Sequence, residues 1–267
     1  MKADSSKQNL GDPNRLSFIK LLPNILTIIS LCCGMTAIKY ALEFHWGNAV
    51  MAIIFSACFD ALDGATARLL KATSRFGAEL DSLADSVNFG IIPSLIIYIW
   101  LKETTSSSFD SYYLGWTWVA CTLFTSCCIL RLARFNIMDK SINENLASDY
   151  FVGVPTPAGA GLLLLPIVAK LLGERFAIEF ITEDIFFVIT ITIWIVIISL
   201  LMISNIATIS FKKFRFKIHK KGATLILISI MLLITTLLKE FWITIFAVQI
   251  LYLITIPVFG IMRKIRG

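Results

Sequence analysis

Residues 46–101, WGNAVMAIIFSACFDALDGATARLLKATSRFGAELDSLADSVNFGIIPSLIIYIWL, decide how this chain folds. Two apolar runs, 46–70 and 76–101, flank a polar break at Lys71 to Arg75. Each run exceeds the roughly 20 residues that a helix needs to cross a bilayer. A connection this short makes the two helices antiparallel neighbours. Neither run is wholly apolar: Asp60 and Asp63 lie inside the first, Asp81 and Asp85 inside the second. An ionised carboxylate in a transmembrane helix costs about 3 kcal/mol or more unless it is paired or hydrated. At about 100° per residue, Asp60 and Asp63 project within roughly 60° of each other, and Asp81 and Asp85 within roughly 40°. Each helix therefore offers a two-carboxylate face, the faces meet near the loop end of the hairpin, and together they demand a cation.

Outside this hairpin the chain repeats the apolar theme. Of its 267 residues 57% are apolar and 16% charged, with a mean hydropathy of +0.80. These values exclude an ordinary soluble globule, a disordered chain and a secreted disulfide scaffold. Six further runs, 21–44, 112–130, 156–172, 185–206, 223–238 and 241–261, complete an all-α, polytopic membrane bundle of about eight transmembrane helices. Only Lys239 and Glu240 separate the last two, so that hairpin is the least sharply marked. The six cysteines, Cys32, Cys33, Cys58, Cys121, Cys127 and Cys128, lie within apolar runs without metal-ligand spacing and read as buried, reduced thiols.

Charge sets the orientation. The chain carries 24 Lys and Arg against 18 Asp and Glu, a net charge of +6. With the N-terminus in the cytoplasm, every basic residue except Lys39, Lys102, Lys170, Arg175 and Lys239 falls on the cytoplasmic side, as the positive-inside rule requires. The expectation is a multi-pass protein of the cell or inner membrane with both termini and the acidic site cytoplasmic. Residues 1–20 are polar, with Lys2, Lys7, Arg15 and Lys20, and read as a cytoplasmic segment rather than a cleavable signal. The run KKFRFKIHKK at 212–221 reads as a topology signal that also attracts anionic head groups. A nucleic-acid partner is not expected, because the chain lacks an aromatic-rich soluble platform.

Clustered carboxylate oxygens suit a hard divalent ion, Mg2+ or Mn2+, and four of them have room for two ions sharing bridging carboxylates. Gly64 follows Asp63, and Gly77 lies one turn before Asp81; small residues there admit a neighbouring helix or a bound phosphate. Arg68, one turn beyond Gly64, offers a forked guanidinium for a phosphate, although taken alone it also fits a snorkelling end anchor.

Written out, the pattern is Asp60-Ala-Leu-Asp63-Gly64-Ala-Thr-Ala67-Arg68, eight residues, Gly77, three residues, Asp81, three residues, Asp85. It resembles the full motif of the CDP-alcohol phosphatidyltransferase family. Eight fixed positions at about one in twenty each recur by chance on the order of once in ten billion windows. The likeness runs from Pro23-Asn24 to about Phe211, so the expected organisation is a cytoplasmic segment at 1–20, a six-span family core at 21–211, and the basic loop with two C-terminal spans at 212–267. Three more stretches look like the family's membrane-integral phosphatidylserine synthase branch. They are Phe89-Gly90 with Pro93, Arg131-Leu-Ala-Arg134-Phe-Asn136, and Phe151-Val-Gly153-Val-Pro155-Thr-Pro157. The last has Val154 and Thr156 where Leu and Ser are commoner in that branch.

The resemblance implies a set of roles. Asp60, Asp63 and Asp81 would hold two ions, Mg2+ or Mn2+, with Asp60 and Asp81 shared between them. Asp85 would contact the second ion and act as general base. Asn24, Ile25, Leu26, Thr27, Gly64, Arg68 and Ser74 would bind CDP-diacylglycerol. The implied reaction transfers the phosphatidyl group to the hydroxyl of L-serine with release of CMP, in a protein that is commonly a homodimer. An acceptor that bears a carboxylate calls for paired cations. Arg131 and Arg134, one turn apart, are the candidates, with Asn136 helping to orient the amino acid; the plainer reading of both arginines is positive-inside anchoring. The motif uses no covalent nucleophile, so direct in-line displacement is expected. Two other functions fit less of the pattern. Transfer to glycerol 3-phosphate or inositol phosphate is disfavoured by the Arg131 to Asn136 stretch and the Pro155 loop. A divalent-cation transporter would spread polar groups across several spans rather than gather them near one face.

Overall fold

The computed structural model describes residues 18–105, 110–141, 151–178, 185–204, 207–208, 231–232 and 235–266. Seven of the described helices are long and apolar enough to cross a membrane. They are α1 (Phe18–Leu42), α2 (Trp46–Leu69), α3 (Arg75–Thr104), α4 (Asp110–Ser141), α5 (Thr156–Arg175), α6 (Ile185–Ile203) and α7 (Phe241–Arg266). The chain is thus a multi-pass membrane protein, and its described residues form a helical bundle with one short strand pair. The expected run at 223–238 lies mostly outside the described residues, and its described part, 231–232 and 235–238, is helical. The basic run 212–221 also lies outside them. Helix α4 continues well past its expected end at 130, because the polar residues that follow hold neither proline nor glycine to stop it.

The break between α2 and α3 is shaped by two local devices. Lys71 takes a positive φ of 49°, turning the chain, and Ser74 then caps α3 by accepting a hydrogen bond from Gly77 N at Oγ, 2.9 Å away. Within α3, Ser86–Ile91 forms a π-turn that joins the α-helical stretches Arg75–Asp85 and Ile92–Thr104. Pro93 accounts for it: lacking an N–H, it cannot bond the Phe89 carbonyl one turn back, and its ring needs the wider turn. The Gly90 carbonyl in this turn also accepts side-chain hydrogen bonds, from Ser94 Oγ at 2.6 Å and Thr125 Oγ1 at 3.2 Å.

Helices α3 and α5 are the most enclosed spans and α7 the least. Helix α1 packs along α2, α4 along α6, and α5 against α7. The core is apolar where they meet, with Ile96, Ile97 and Trp100 of α3, Phe124 of α4, Leu163 and Ile167 of α5 and Ile195 of α6 all fully buried. Apolar side chains such as Phe55, Leu123, Ile193 and Leu251 face outward, the arrangement suited to a hydrocarbon solvent. The cysteine reading needs one correction. All six are free and Cys121, Cys127 and Cys128 are buried, but Cys32 and Cys58 face outward, where lipid accepts a small apolar thiol as readily as the core does.

Close packing at the hairpin depends on Gly34. A Cβ there would run into the Asn88 side chain and come within 2.9 Å of Ile92 Cδ1, so only glycine lets α1 lie against the π-turn of α3. The loop entering α5 is fixed differently. Phe151–Val152 pairs antiparallel with Ala207–Thr208, and Gly153 follows with φ +79° and its Cα against the Met202 carbonyl. This anchors the Pro155 loop to the end of α6.

Candidate active site

The hairpin brings together the carboxylates that the helical spacing aligns. Oxygens of Asp60, Asp63 and Asp81 all lie within 4.8 Å of one another. Asp85 completes the group, its carboxyl in hydrogen-bonding reach of Asp60 and its Oδ1 buried without a partner among the described residues. The pairing follows from the antiparallel topology. Asp63 and Asp81 are nearer the loop, Asp60 and Asp85 a turn deeper.

Helix α1 closes the site from the third side. Thr27 Oγ1 donates to Asp63 Oδ2 at 2.6 Å, a charge-assisted contact shorter than its alternative to the Pro23 carbonyl at 3.1 Å. One turn deeper on all three helices lies a second polar layer. Ser30 Oγ donates to the Ser56 carbonyl at 2.8 Å and lies 3.1 Å from Ser56 Oγ, while Asn88 Nδ2 donates to Ser30 Oγ at 3.0 Å. Ser30, Ser56 and Asn88 are fully or almost fully buried. The layer ties α1, α2 and α3 together below the acids and fixes their depth relative to each other.

Four carboxylates in mutual contact repel unless a cation lies among them. The donor set is all carboxylate oxygen, it is partly buried, and Asp85 Oδ1 is left unsatisfied. These properties fit a hard divalent ion. Around the cluster there is room for a ligand: a Cβ added to Gly64 would meet nothing within 4 Å. Gly77 is crowded instead by Asn24 Oδ1 and Ser74 Oγ, so its lack of a side chain lets α1 approach the start of α3.

A model of the CDP-alcohol phosphatidyltransferase family matches residues 20–196. The chain belongs to the CDP-alcohol phosphatidyltransferase family. Relatives named CDP-diacylglycerol--serine O-phosphatidyltransferase are similar to it in several bacteria. That of Mycobacterium tuberculosis is 46% identical over 153 residues, 55% of this chain and 50% of the relative. That of Mycobacterium leprae is 38% identical over 189 residues, 70% and 58% of the two chains. That of Helicobacter pylori is 36% identical over 212 residues, 79% and 81%. The chain spans about half the length of the mycobacterial relatives it matches.

In this family member the other residues singled out from sequence fall into two groups. Asn24, Thr27, Gly64, Arg68 and Ser74 surround the hairpin end, with Arg68 and Ser74 exposed beside the loop; Ile25 and Leu26 share the same turn of α1. Arg131, Arg134 and Asn136 lie on α4. Asn136 Nδ2 donates to Ser82 Oγ at 2.8 Å, placing this end of α4 beside Asp81. Arg131 is only 8% exposed, stacks its guanidinium over Phe135 at 4.8 Å, and lies within electrostatic range of Asp85; Arg134 is exposed. The sequence reading did not anticipate Thr27 as a support for Asp63, nor the Ser30, Ser56 and Asn88 layer. Their signal was available in the positions of Ser30 and Ser56, one turn from Thr27 and Asp60, but which hydroxyls meet depends on how α1 docks.

Proposed function

We propose that this protein transfers the phosphatidyl group from CDP-diacylglycerol to the hydroxyl of L-serine, giving phosphatidylserine and CMP. The observation that carries this reading is the gathering of Asp60, Asp63 and Asp81 with Asp85 at the loop end of the α2–α3 hairpin, in a member of this family. Asp60, Asp63, Asp81 and Asp85 would hold divalent metal, two ions of Mg2+ or Mn2+. Bound there, the metal supplies charge neutralisation and Lewis acidity at the pyrophosphate. The site faces the cytoplasm in this reading, since the basic residues gather on that side, and the protein works as a homodimer, as the family likeness implies.

The chain's own groups then have distinct tasks. Gly64 leaves space for the pyrophosphate, while Arg68 and Ser74 at the rim and Asn24 to Thr27 on α1 hold the cytidine-bearing head. Arg131 binds the serine carboxylate, with Arg134 and Asn136 nearby to steer and orient the amino acid. Asp85 takes the proton of the serine hydroxyl as its oxygen bonds to the diacylglycerol-linked phosphorus. The bond from that phosphorus to the CMP oxygen breaks, and CMP leaves with the electron pair. No residue is needed as a covalent carrier, so the displacement is direct and in line.

Lipid-product analysis tests this reading. Purified protein in vesicles containing CDP-diacylglycerol, given L-serine and divalent metal, should form phosphatidylserine. Exchange of labelled CMP into CDP-diacylglycerol without serine would contradict direct displacement, and a phosphatidylglycerol phosphate product from glycerol 3-phosphate alone would overturn the choice of acceptor.

A further inference from the structure

The transfer proposed above draws on α1 to α4 and gives no task to α7, which lies beyond the matched residues 20–196. Helix α7 nevertheless sends polar groups into the bundle. Gln249, Tyr252 and Ile256 recur at helical spacing on one face. That face turns inward, since Gln249 Nε2 donates to the Gly161 carbonyl of α5 at 2.9 Å and Ile256 is buried. Tyr252 lies between them with its phenol oxygen buried and without a partner among the described residues. It lies within electrostatic range of Arg131, which is in turn within range of Asp85.

Arg131 Nε and Asp85 Oδ1 are likewise buried without hydrogen-bond partners among the described residues. Three helices therefore bring into one neighbourhood a cationic donor, a carboxylate acceptor and a hydroxyl able to play either part, each with a buried atom that has no partner among the described residues. Buried polar atoms are nearly always paired, so an unpaired trio marks a place for a ligand. The ligand's chemistry follows from the set: an anionic oxygen for Arg131 and the phenol, and an alcohol for Asp85.

We propose that Tyr252 is a specificity-determining residue of the acceptor pocket, its hydroxyl donating to the acceptor carboxylate that Arg131 holds while the acceptor alcohol faces Asp85. The inference rests on the reading of the protein as a transferase to serine. It makes α7 part of the site, and the Arg175–Glu240 ion pair at 2.7 Å, which joins the end of α5 to the residue before α7, part of what holds that helix in place.

Serine titrations of the full-length protein with Tyr252→Phe test it. The variant should raise the KM for serine about tenfold, the cost of one hydrogen bond to a charged group, with kcat and the KM for CDP-diacylglycerol within about twofold of the parent. Tyr252→His, which returns a ring-borne donor, should fall between the two. An unchanged serine KM in Tyr252→Phe, where the parent releases CMP on adding serine, overturns this inference alone. Equal weakening toward both substrates overturns it as well, since it would mark a merely structural residue. A parent protein with no serine-dependent CMP release overturns the transferase-to-serine reading and this inference with it.

Discussion

Replacing Asp85 by Asn should slow serine-dependent CMP release by about 10^2- to 10^4-fold, the range that general-base catalysis supplies. The substitution keeps the size of the side chain and removes its basicity. Asp60, Asp63 and Asp81 are untouched and their oxygens remain within 4.8 Å of one another, so the metal-holding cluster persists. The loss should therefore fall on kcat, with the KM for CDP-diacylglycerol near that of the parent and with metal still raising the thermal stability of the variant. A variant that retains most of the parent rate would remove Asp85 from proton transfer. A variant that loses activity together with its thermal response to metal would trace the loss to the metal that Asp85 helps to hold rather than to proton transfer.

Removal of metal should have the larger effect of the two. Chelation with EDTA is expected to bring CMP release to background, and Mn2+ or Mg2+ to restore it. Without a cation, three carboxylates and the neighbouring Asp85 share a partly buried site in which Thr27 Oγ1 donates a single hydroxyl hydrogen bond to Asp63. That arrangement is electrostatically unfavourable, so a cation that binds only the folded state stabilises it, by about 2.7 kcal/mol at a concentration a hundredfold above its dissociation constant. Thermal unfolding should shift upward with added Mn2+ in the parent, and Asp60→Ala should need at least about tenfold more metal for the same shift. Full activity in EDTA, with no shift on adding metal, would contradict a metal-dependent site.

Much of this arrangement was legible from side-chain spacing. The pairs Asp60 and Asp63, and Asp81 and Asp85, are fixed on their helix faces by the helical repeat, and the brief loop at Lys71 to Arg75 leaves the two helices no choice but to lie side by side. The apolar runs gave the spans for the same reason, since length and hydropathy are local properties. What escaped depends on long-range docking or on a break in the repeat. The π-turn at Ser86–Ile91 follows from Pro93 but widens the helix in a way that a 3.6-residue period cannot express. The Thr27–Asp63 bond and the Ser30, Ser56 and Asn88 layer join positions 26 to 58 residues apart. Tyr252 lies in a span whose sequence looks wholly lipid-directed, and only the packing of α7 on α5 turns its phenol inward. Cys32 and Cys58 show the converse: apolar surroundings in sequence do not distinguish a protein core from lipid.

The most direct test of the account is CMP release by the purified protein from CDP-diacylglycerol, measured with serine, glycerol 3-phosphate and inositol phosphate in turn, each with and without divalent metal. Release that requires both serine and metal is the predicted result. Release that is indifferent to serine, or that proceeds in the absence of metal, would contradict it.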